Sequence, residues 1–357
     1  MTDAQQEFSG TMAVRDQHAF DEKALEAYLA KRLPGFEGPL TVQQFKGGQS
    51  NPSYKLVTPK RAYVLRRKPP GELLPSAHAV DREYRVISAL ADTDVPVPKA
   101  HLLWEDSDVI GTAFYVMDFV AGRILWDPQL PGIDPAERAA IFDAENAVMA
   151  ALHQVDYQAV GLGDFGKTGN YLARQINRWS KQYKASETET IEAMDNLIAW
   201  LPENIPPGDE TTLVHGDYRL DNMVLHPTEP KVLAVLDWEL STLGHPLADF
   251  TYHCMIWRLG PDVFRGLGGV DVKALGIPTE AEYVAAYCRR TGRERIEHFD
   301  FYMAYNMFRL AGILQGIMGR VVAGTAASAQ ALESGRRARP LAELAWQEVL
   351  KLTGGKP

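Results

Sequence analysis

Between Leu213 and Glu239 the chain reads LVHGDYRLDNMVLHPTEPKVLAVLDWE, and this stretch holds the residues whose types and spacing could do chemistry. His215, Asp217 and Asn222 fall on a turn between two short apolar runs, and Asp237 ends a third, Val232 to Leu236. A carboxylate that orients a hydroxyl, an amide five residues later and a second carboxylate beyond a hairpin form the set that metal-dependent phosphoryl transfer requires. In that reading Asp217 holds the attacking hydroxyl, while Asn222 and Asp237 hold Mg²⁺ against the phosphates. Aspartates also cap turns, but capping alone gives these three groups at strand ends no common purpose.

Other elements must position this stretch. Residues 1–15 read as a flexible arm. Leu25, Tyr28, Leu29 and Leu33 recur at helical spacing until Pro34-Gly35 stops them. Thr41 to Phe45 and Tyr54 to Val57 read as strands around Gly47-Gly48-Gln49-Ser50-Asn51, a turn able to lay backbone N–H groups over phosphates. No Gly-Lys-Ser/Thr follows, so this is not a P-loop. The next strand, Ala62 to Arg66, ends in the basic pair Arg66-Arg67; alternation allows only one of the two to face a given side. A helix over Asp81 to Leu90 presents Glu83, and strands are expected over Lys99 to Trp104 and Phe114 to Val120.

Downstream the signals are helical. Asp134-Pro135 with Glu137 starts a helix that runs to His153. Tyr171 to Tyr183 gives another, and Ser186 with Glu189 predicts a capping box for a third. Thr279 with Glu282 caps a helix to Arg290, Phe299 to Arg320 is a long one, and Leu341 to Leu350 closes the pattern. Arg174, Arg178, Lys181 and Lys184 give the Tyr171 helix a basic face, either solvated surface or a place to meet an anionic acceptor. Arg309, set among Phe, Leu and Ile, needs a partner, either a carboxylate of the protein or an anionic substrate.

With 357 residues the chain can bury a substantial core. A net charge of -9 without a basic tail argues against nucleic-acid wrapping. Cys254 and Cys288 are the only cysteines, too few for a disulfide framework, which together with the lack of a signal-peptide pattern points to the cytoplasm. No apolar run approaches the roughly 20 residues of a membrane span.

His215-Gly216-Asp217, Asn222 and Asp237-Trp238-Glu239 resemble the catalytic and metal-binding motifs of the aminoglycoside phosphotransferase and choline kinase group, small-molecule relatives of protein kinases. Gly216 and Trp238-Glu239 depart from the H-R-D and D-F-G of protein kinases and point to the small-molecule branch. The resemblance implies an α+β two-lobe protein-kinase-like fold: an antiparallel-sheet lobe over 16–120, and a larger helical lobe over 121–357 with an insertion at about 167–202. ATP is then the implied donor and Mg²⁺ the implied metal, with GTP left open.

The same resemblance implies roles for single residues. Gly47, Gly48, Ser50 and Asn51 cover the nucleotide; Arg66, in preference to Arg67, contacts its α and β phosphates and pairs with Glu83; the backbone from Asp118 to Val120 meets adenine. Arg219 takes the place of a basic residue aimed at the transferring phosphate or the acceptor, and Asp249 braces the catalytic turn. Arg178, Lys181 and Arg309 are the expected acceptor contacts. VLRRKPPG, HGDYRLDN and LDWELSTLGHPLADF resemble the branch associated with acyl-CoA dehydrogenases. This implies a hydroxy acid or hydroxyacyl-CoA as the small-molecule acceptor and an acyl-CoA dehydrogenase as functional partner. The alternatives are an aminoglycoside, choline or sugar kinase, and a non-catalytic nucleotide-binding or adaptor protein.

Overall fold

Alternation in the strand Ala62 to Arg67 organises the first part of the molecule: Tyr63 and Leu65 join a buried apolar cluster on one face, and Val64 and Arg66 face a cavity on the other. The computed structural model describes residues 9–47, 51–71, 78–261, 263–325 and 330–355. The chain packs as two compact units. The first comprises residues 1–152, 158–162 and 219–241; the second comprises 153–157, 163–218 and 242–357.

The first unit is built on a six-stranded antiparallel sheet of β1 (Thr11–Met12), β2 (Thr41–Phe45), β3 (Ser53–Val57), β4 (Ala62–Arg67), β5 (Ala100–Trp104) and β6 (Phe114–Asp118), in the order β1-β2-β3-β4-β6-β5. Helix α1 (Glu22–Arg32), capped by the Asp21 carboxylate accepting from the Ala24 amide, buries Leu25 and Leu29 in the apolar cluster. Helix α2 (Val80–Leu90) lies against β5 and β6 and buries Val86, Ile87, Leu90 and Glu83. Thr11 and Met12 depart from the expected arm: they pair in register with Phe45 and Gln44 and so extend the sheet by one strand.

Helix α3 (Pro135–His153) begins at the expected Asp134, whose carboxylate accepts from the amides of Ala136 and Glu137. The first unit is completed by β8 (Met223–Leu225) and β9 (Val232–Val235), an antiparallel pair from the motif stretch. This hairpin is tied to the remainder of the unit by backbone bonds between Arg123 and Leu225 and from the Val235 amide to the Pro96 carbonyl. Gly122 is required beside it, because a Cβ there would lie 2.2 Å from the Leu225 carbonyl oxygen.

In the second unit the short strands β7 (Thr212–Val214) and β10 (Thr242–Gly244) pair with each other. Its helices are α4 (Tyr171–Ala185), α5 (Glu192–Glu203), α6 (Pro246–Cys254), α7 (Glu280–Thr291), α8 (Phe299–Val322), α9 (Ala331–Arg336) and α10 (Ala338–Leu352). Helix α8 is apolar nearly all round its first half and buries every residue from Phe301 to Gly312, so other helices pack against it on several sides. The Thr279–Glu282 capping box of α7 forms.

The Ser186–Glu189 capping box does not form. Ser186 closes α4 instead, donating to the Gln182 carbonyl; Glu189 accepts from Arg339 at 2.5 Å, and α5 starts at Glu192 without a side-chain cap. The last helix begins three residues earlier than Leu341, and α9 precedes it. Among the described residues no helix is long and apolar enough to cross a membrane.

Candidate functional site

The first unit contains a cavity of about 660 Å³. Phe45, Val64, Met117, Phe119, Ile124 and Trp126 give it apolar walls, while Arg66, Asp221, Asn222 and Asp237 make a polar one. The β8–β9 hairpin brings Asn222 and Asp237 together: the Leu236 amide donates to the Asn222 carbonyl at 2.8 Å, closing the two ends of the hairpin side by side. Asp237 takes a left-handed backbone, with φ of 63°. Such a conformation is uncommon outside glycine, though aspartate is among the residues that adopt it most readily, and it recurs at functional turns.

Arg66 is the electrostatic centre of this polar wall. Its Nε lies 2.9 Å from Glu83 Oε2, and its Nη2 donates to Asp237 Oδ1 at 2.9 Å. Burial disfavours the guanidinium charge, but Glu83 and then Asp237 outweigh it and raise the arginine further above its ordinary range. Burial pushes the Glu83 carboxyl up despite Arg66, and the Tyr115 hydroxyl donates to its Oε2 at 3.0 Å. The expected Arg66–Glu83 pair is therefore present. Arg67 points to the opposite face, where its Nε donates to Thr112 Oγ1 at 2.9 Å and its guanidinium lies 5.3 Å from the Phe20 ring centre.

Gly47 lines the cavity, as do Asp118, Phe119 and Val120. The Asp118 amide donates to the Lys99 carbonyl, and its carboxylate accepts from Arg61 at 2.6 Å. Gly48 and Ser50 lie outside the described residues. Asn51 differs from its expected place at the nucleotide. It is fully buried, is not among the residues lining the cavity, donates to Glu83 Oε1 at 2.6 Å and holds its Oδ1 2.9 Å from His78 Nδ1. It braces Glu83 from behind. Arg219 Nη2 donates to Asp221 Oδ2 at 3.0 Å.

The donor chemistry of the polar wall fits Mg²⁺. Asn222 and Asp237 offer hard oxygens, and Mg²⁺ takes one or two carboxylates, keeps several waters and uses substrate phosphates for the rest. Among the described residues no group of three or more His, Cys, Asp or Glu side chains could enclose a metal without such help.

Near Asp221 lies Glu145, buried within α3; burial, with the Asp221 charge as a lesser cause, pushes its carboxyl up to about 8. From the ordinary carboxyl range of about 4.5 up to about 8, the folded protein keeps a proton that the unfolded chain has released. The contribution of Glu145 to stability is therefore lost as pH rises through that window. Glu145→Gln is expected to remove this slope, so its stability relative to wild type should grow by on the order of a few kcal/mol between pH 5 and pH 8. Urea unfolding at both pH values checks it, and parallel pH profiles for the two proteins would contradict it.

In the second unit the turn after β7 carries His215, Gly216 and Asp217. Asp249, near the start of α6, accepts from the His215 amide through Oδ2 and from the Gly216 amide through Oδ1, both at 2.8 Å. Burial alone would raise this carboxyl; His153, 3.2 Å from Oδ2, and the His215 amide hold it below its ordinary value. Gly216 has φ of 84°, a conformation glycine adopts without strain. The His215 ring, fully buried, accepts from the Asp217 amide at 3.2 Å.

Arg309 finds its partner in the backbone. Its Nη2 donates to the Gly216 carbonyl at 2.8 Å, and its guanidinium packs on the Tyr252 and Trp179 rings. Arg178 and Lys181 are exposed on α4. Lys184 on the same helix is bonded to Asp195 at 2.5 Å and sits 3.4 Å from Glu187, so the basic face has acidic neighbours. His153 also sits 2.7 Å from the Tyr287 hydroxyl, a structural role. Composition and spacing had not singled out Tyr252, Trp126 or Glu145; Tyr252 could have been found as the residue one helical turn beyond Asp249.

Known proteins share the sequence and the fold of this chain. The model of the phosphotransferase enzyme family, APH, matches residues 41–305. Acyl-CoA dehydrogenase family member 10 of Mus musculus is 50% identical over 345 residues, covering 96% of this chain and 32% of that protein. Acyl-CoA dehydrogenase family member 11 of Rattus norvegicus is 45% identical, covering 94% and 44%. The chain thus spans less than half the length of these relatives.

A crystal structure from Ralstonia eutropha JMP134, carrying the provisional name of aminoglycoside phosphotransferase, is 61% identical with a TM-score of 0.87, covering 93% of this chain and 99% of that one. Choline kinase from Cryptosporidium parvum, 12% identical with a TM-score of 0.65 over 94% and 98% of the two chains, shares the fold alone. The fold is α+β and two-lobed, of the protein-kinase-like kind. The chain belongs to the phosphotransferase enzyme family, APH, and is homologous to acyl-CoA dehydrogenase family members 10 and 11.

Proposed function

We propose that this chain is an ATP- and Mg²⁺-dependent phosphotransferase acting on the hydroxyl of a small molecule, a hydroxy acid or hydroxyacyl-CoA, in the cytoplasm. The observation that carries the reading is the cavity of the first unit, in which apolar walls suited to a base meet a polar wall of Arg66, Asn222 and Asp237 suited to phosphates and metal. Asn222 and Asp237 would hold Mg²⁺, which would supply charge neutralisation at the phosphates when bound. Arg66 contacts the non-transferred phosphates, Gly47 lies over the nucleotide, and main-chain groups between Asp118 and Val120 meet the base. Asp217 orients the acceptor hydroxyl and takes its proton. Arg219 stabilises charge on the transferring phosphate.

The facing of β4 makes a prediction about the basic pair. Arg66→Ala is expected to raise the KM for ATP at least tenfold, because a charged hydrogen bond is worth about 1.5–3 kcal/mol. Arg67→Ala should leave it within about twofold, a change of less than about 0.5 kcal/mol. Titration of a fluorescent ATP analogue into both variants decides, and a larger loss for Arg67→Ala would reverse the assignment.

The exposed cations Arg178 and Lys181 and the kinship with acyl-CoA dehydrogenase family members support an anionic, CoA-linked acceptor. They also support an acyl-CoA dehydrogenase as functional partner. The test is ADP release from ATP·Mg²⁺ with 3-hydroxybutyryl-CoA, choline or kanamycin as acceptor. Turnover with the CoA ester that weakens in Arg178→Glu and Lys181→Glu, at unchanged KM for ATP, is the expected result. Phosphorylation of kanamycin with none of the hydroxyacyl compound would reject the acceptor class.

A further inference from the structure

Tyr252 belongs to none of the motifs that mark the site, yet its hydroxyl donates to Oδ1 of Asp217 at 2.6 Å, the short end of the O–H···O range. It comes from α6, three residues after Asp249 and so on the same face of that helix. Its ring is buried, with the Arg309 guanidinium 5.1 Å from the ring centre. The Gly216–Asp217 segment is thereby held at three points by two helices. Asp249 takes the amides of His215 and Gly216, Arg309 takes the carbonyl of Gly216, and Tyr252 takes the Asp217 carboxylate. The first two fix the main chain. The third reaches the side chain on which proton transfer depends.

We infer that Tyr252 is a positioning residue for the phosphotransferase reaction: its phenol, bonded to Oδ1, sets the rotation of the Asp217 carboxylate toward the acceptor hydroxyl. The inference rests on the role proposed above for Asp217. The terminal torsion of an aspartate is broad and offers little resistance of its own, so a hydrogen bond is an effective way to fix it. Productive proton transfer needs the base within hydrogen-bond reach and correctly turned. Tyr252 is not among the residues lining the nucleotide cavity, so its loss should be felt in turnover and not in nucleotide affinity.

The test is ADP release from ATP·Mg²⁺, with water or 3-hydroxybutyryl-CoA as acceptor, by wild type, Tyr252→Phe, Asp217→Asn and the double variant. Phenylalanine keeps the ring under Arg309 and removes only the hydroxyl. The expected result for Tyr252→Phe is about a tenfold fall in kcat, the size of a hydrogen bond to a charged group. The KM for ATP should stay within about twofold, since the phosphate contacts are kept. In the Asp217→Asn background the same substitution should cost nothing more, because Tyr252 acts through Asp217. An undiminished kcat in Tyr252→Phe, or an equal fractional loss in both backgrounds, would overturn the inference while Asp217 kept its role. A wild-type rate in Asp217→Asn, or no nucleotide turnover by wild type, would overturn the functional reading and the inference with it.

Discussion

Asp217→Asn is expected to lower turnover by roughly 10²–10⁴-fold, the range that a positioned general base contributes, while nucleotide affinity stays close to wild type. The two halves of this expectation come from separate places in the molecule. Asp217 sits on the turn after β7 and is not among the residues lining the cavity, whose polar wall is Arg66, Asp221, Asn222 and Asp237. Asparagine keeps the side-chain shape and an oxygen that can still accept from Tyr252. The loss would therefore belong to the proton-accepting charge and not to a collapsed turn. Rapid-quench measurement of the transfer step, with ADP affinity measured calorimetrically, separates the terms. Equal transfer rates in the two proteins would remove Asp217 from the chemistry.

The second large effect concerns stability. Asp249→Ala is expected to destabilise the protein by about 3–5 kcal/mol, the cost of breaking a buried charged network by removing one partner. The carboxylate accepts from two buried amides and lies beside His153, and its side chain is 2% exposed, so water cannot readily replace it. Asp249→Asn should cost less, about 1–2 kcal/mol, because its carbonyl oxygen can still serve one amide. Urea unfolding followed by tryptophan fluorescence reads the difference. A loss under about 1 kcal/mol for the alanine variant, below the range for a buried network, would mean that the turn holds itself.

What could be read from the sequence follows the reach of each signal. The strand and helix that carry Arg66 and Glu83 were legible from short-range rules, while the choice of Arg66 over Arg67 and its pairing with Glu83 came from resemblance; the motif spacing survives as the hairpin that joins Asn222 to Asp237. The Asp249 brace came from resemblance, since nothing local couples it to residues more than thirty positions earlier. Failures occurred where a distant residue outbid a near one. Thr279 and Glu282 met no competitor and formed their capping box, whereas Glu189 is taken by Arg339, 150 positions away. Asn51 looked like a loop residue open to a ligand because neither Glu83 nor His78 announces its proximity in the sequence. Tyr252 was lost among ordinary core aromatics, distinguishable only by the carboxylate its hydroxyl meets.

The chain passes between its two compact units five times, at residues 152/153, 157/158, 162/163, 218/219 and 241/242. This order matters during synthesis, when a chain emerges from the ribosome at about 5–20 residues per second and domains tend to fold as they appear. The six-stranded sheet and α3 are available once residue 152 has emerged, but the hairpin that completes the same unit arrives only with residues 219–241. Until then the partners of that hairpin, the Pro96 carbonyl and the backbone of Arg123, wait without it. At these rates the interval is several seconds or more, during which the second unit is also incomplete. Neither unit corresponds to a continuous piece of chain that could be cut out or finished first, so the nascent polypeptide carries a half-built cavity until residue 241 has emerged.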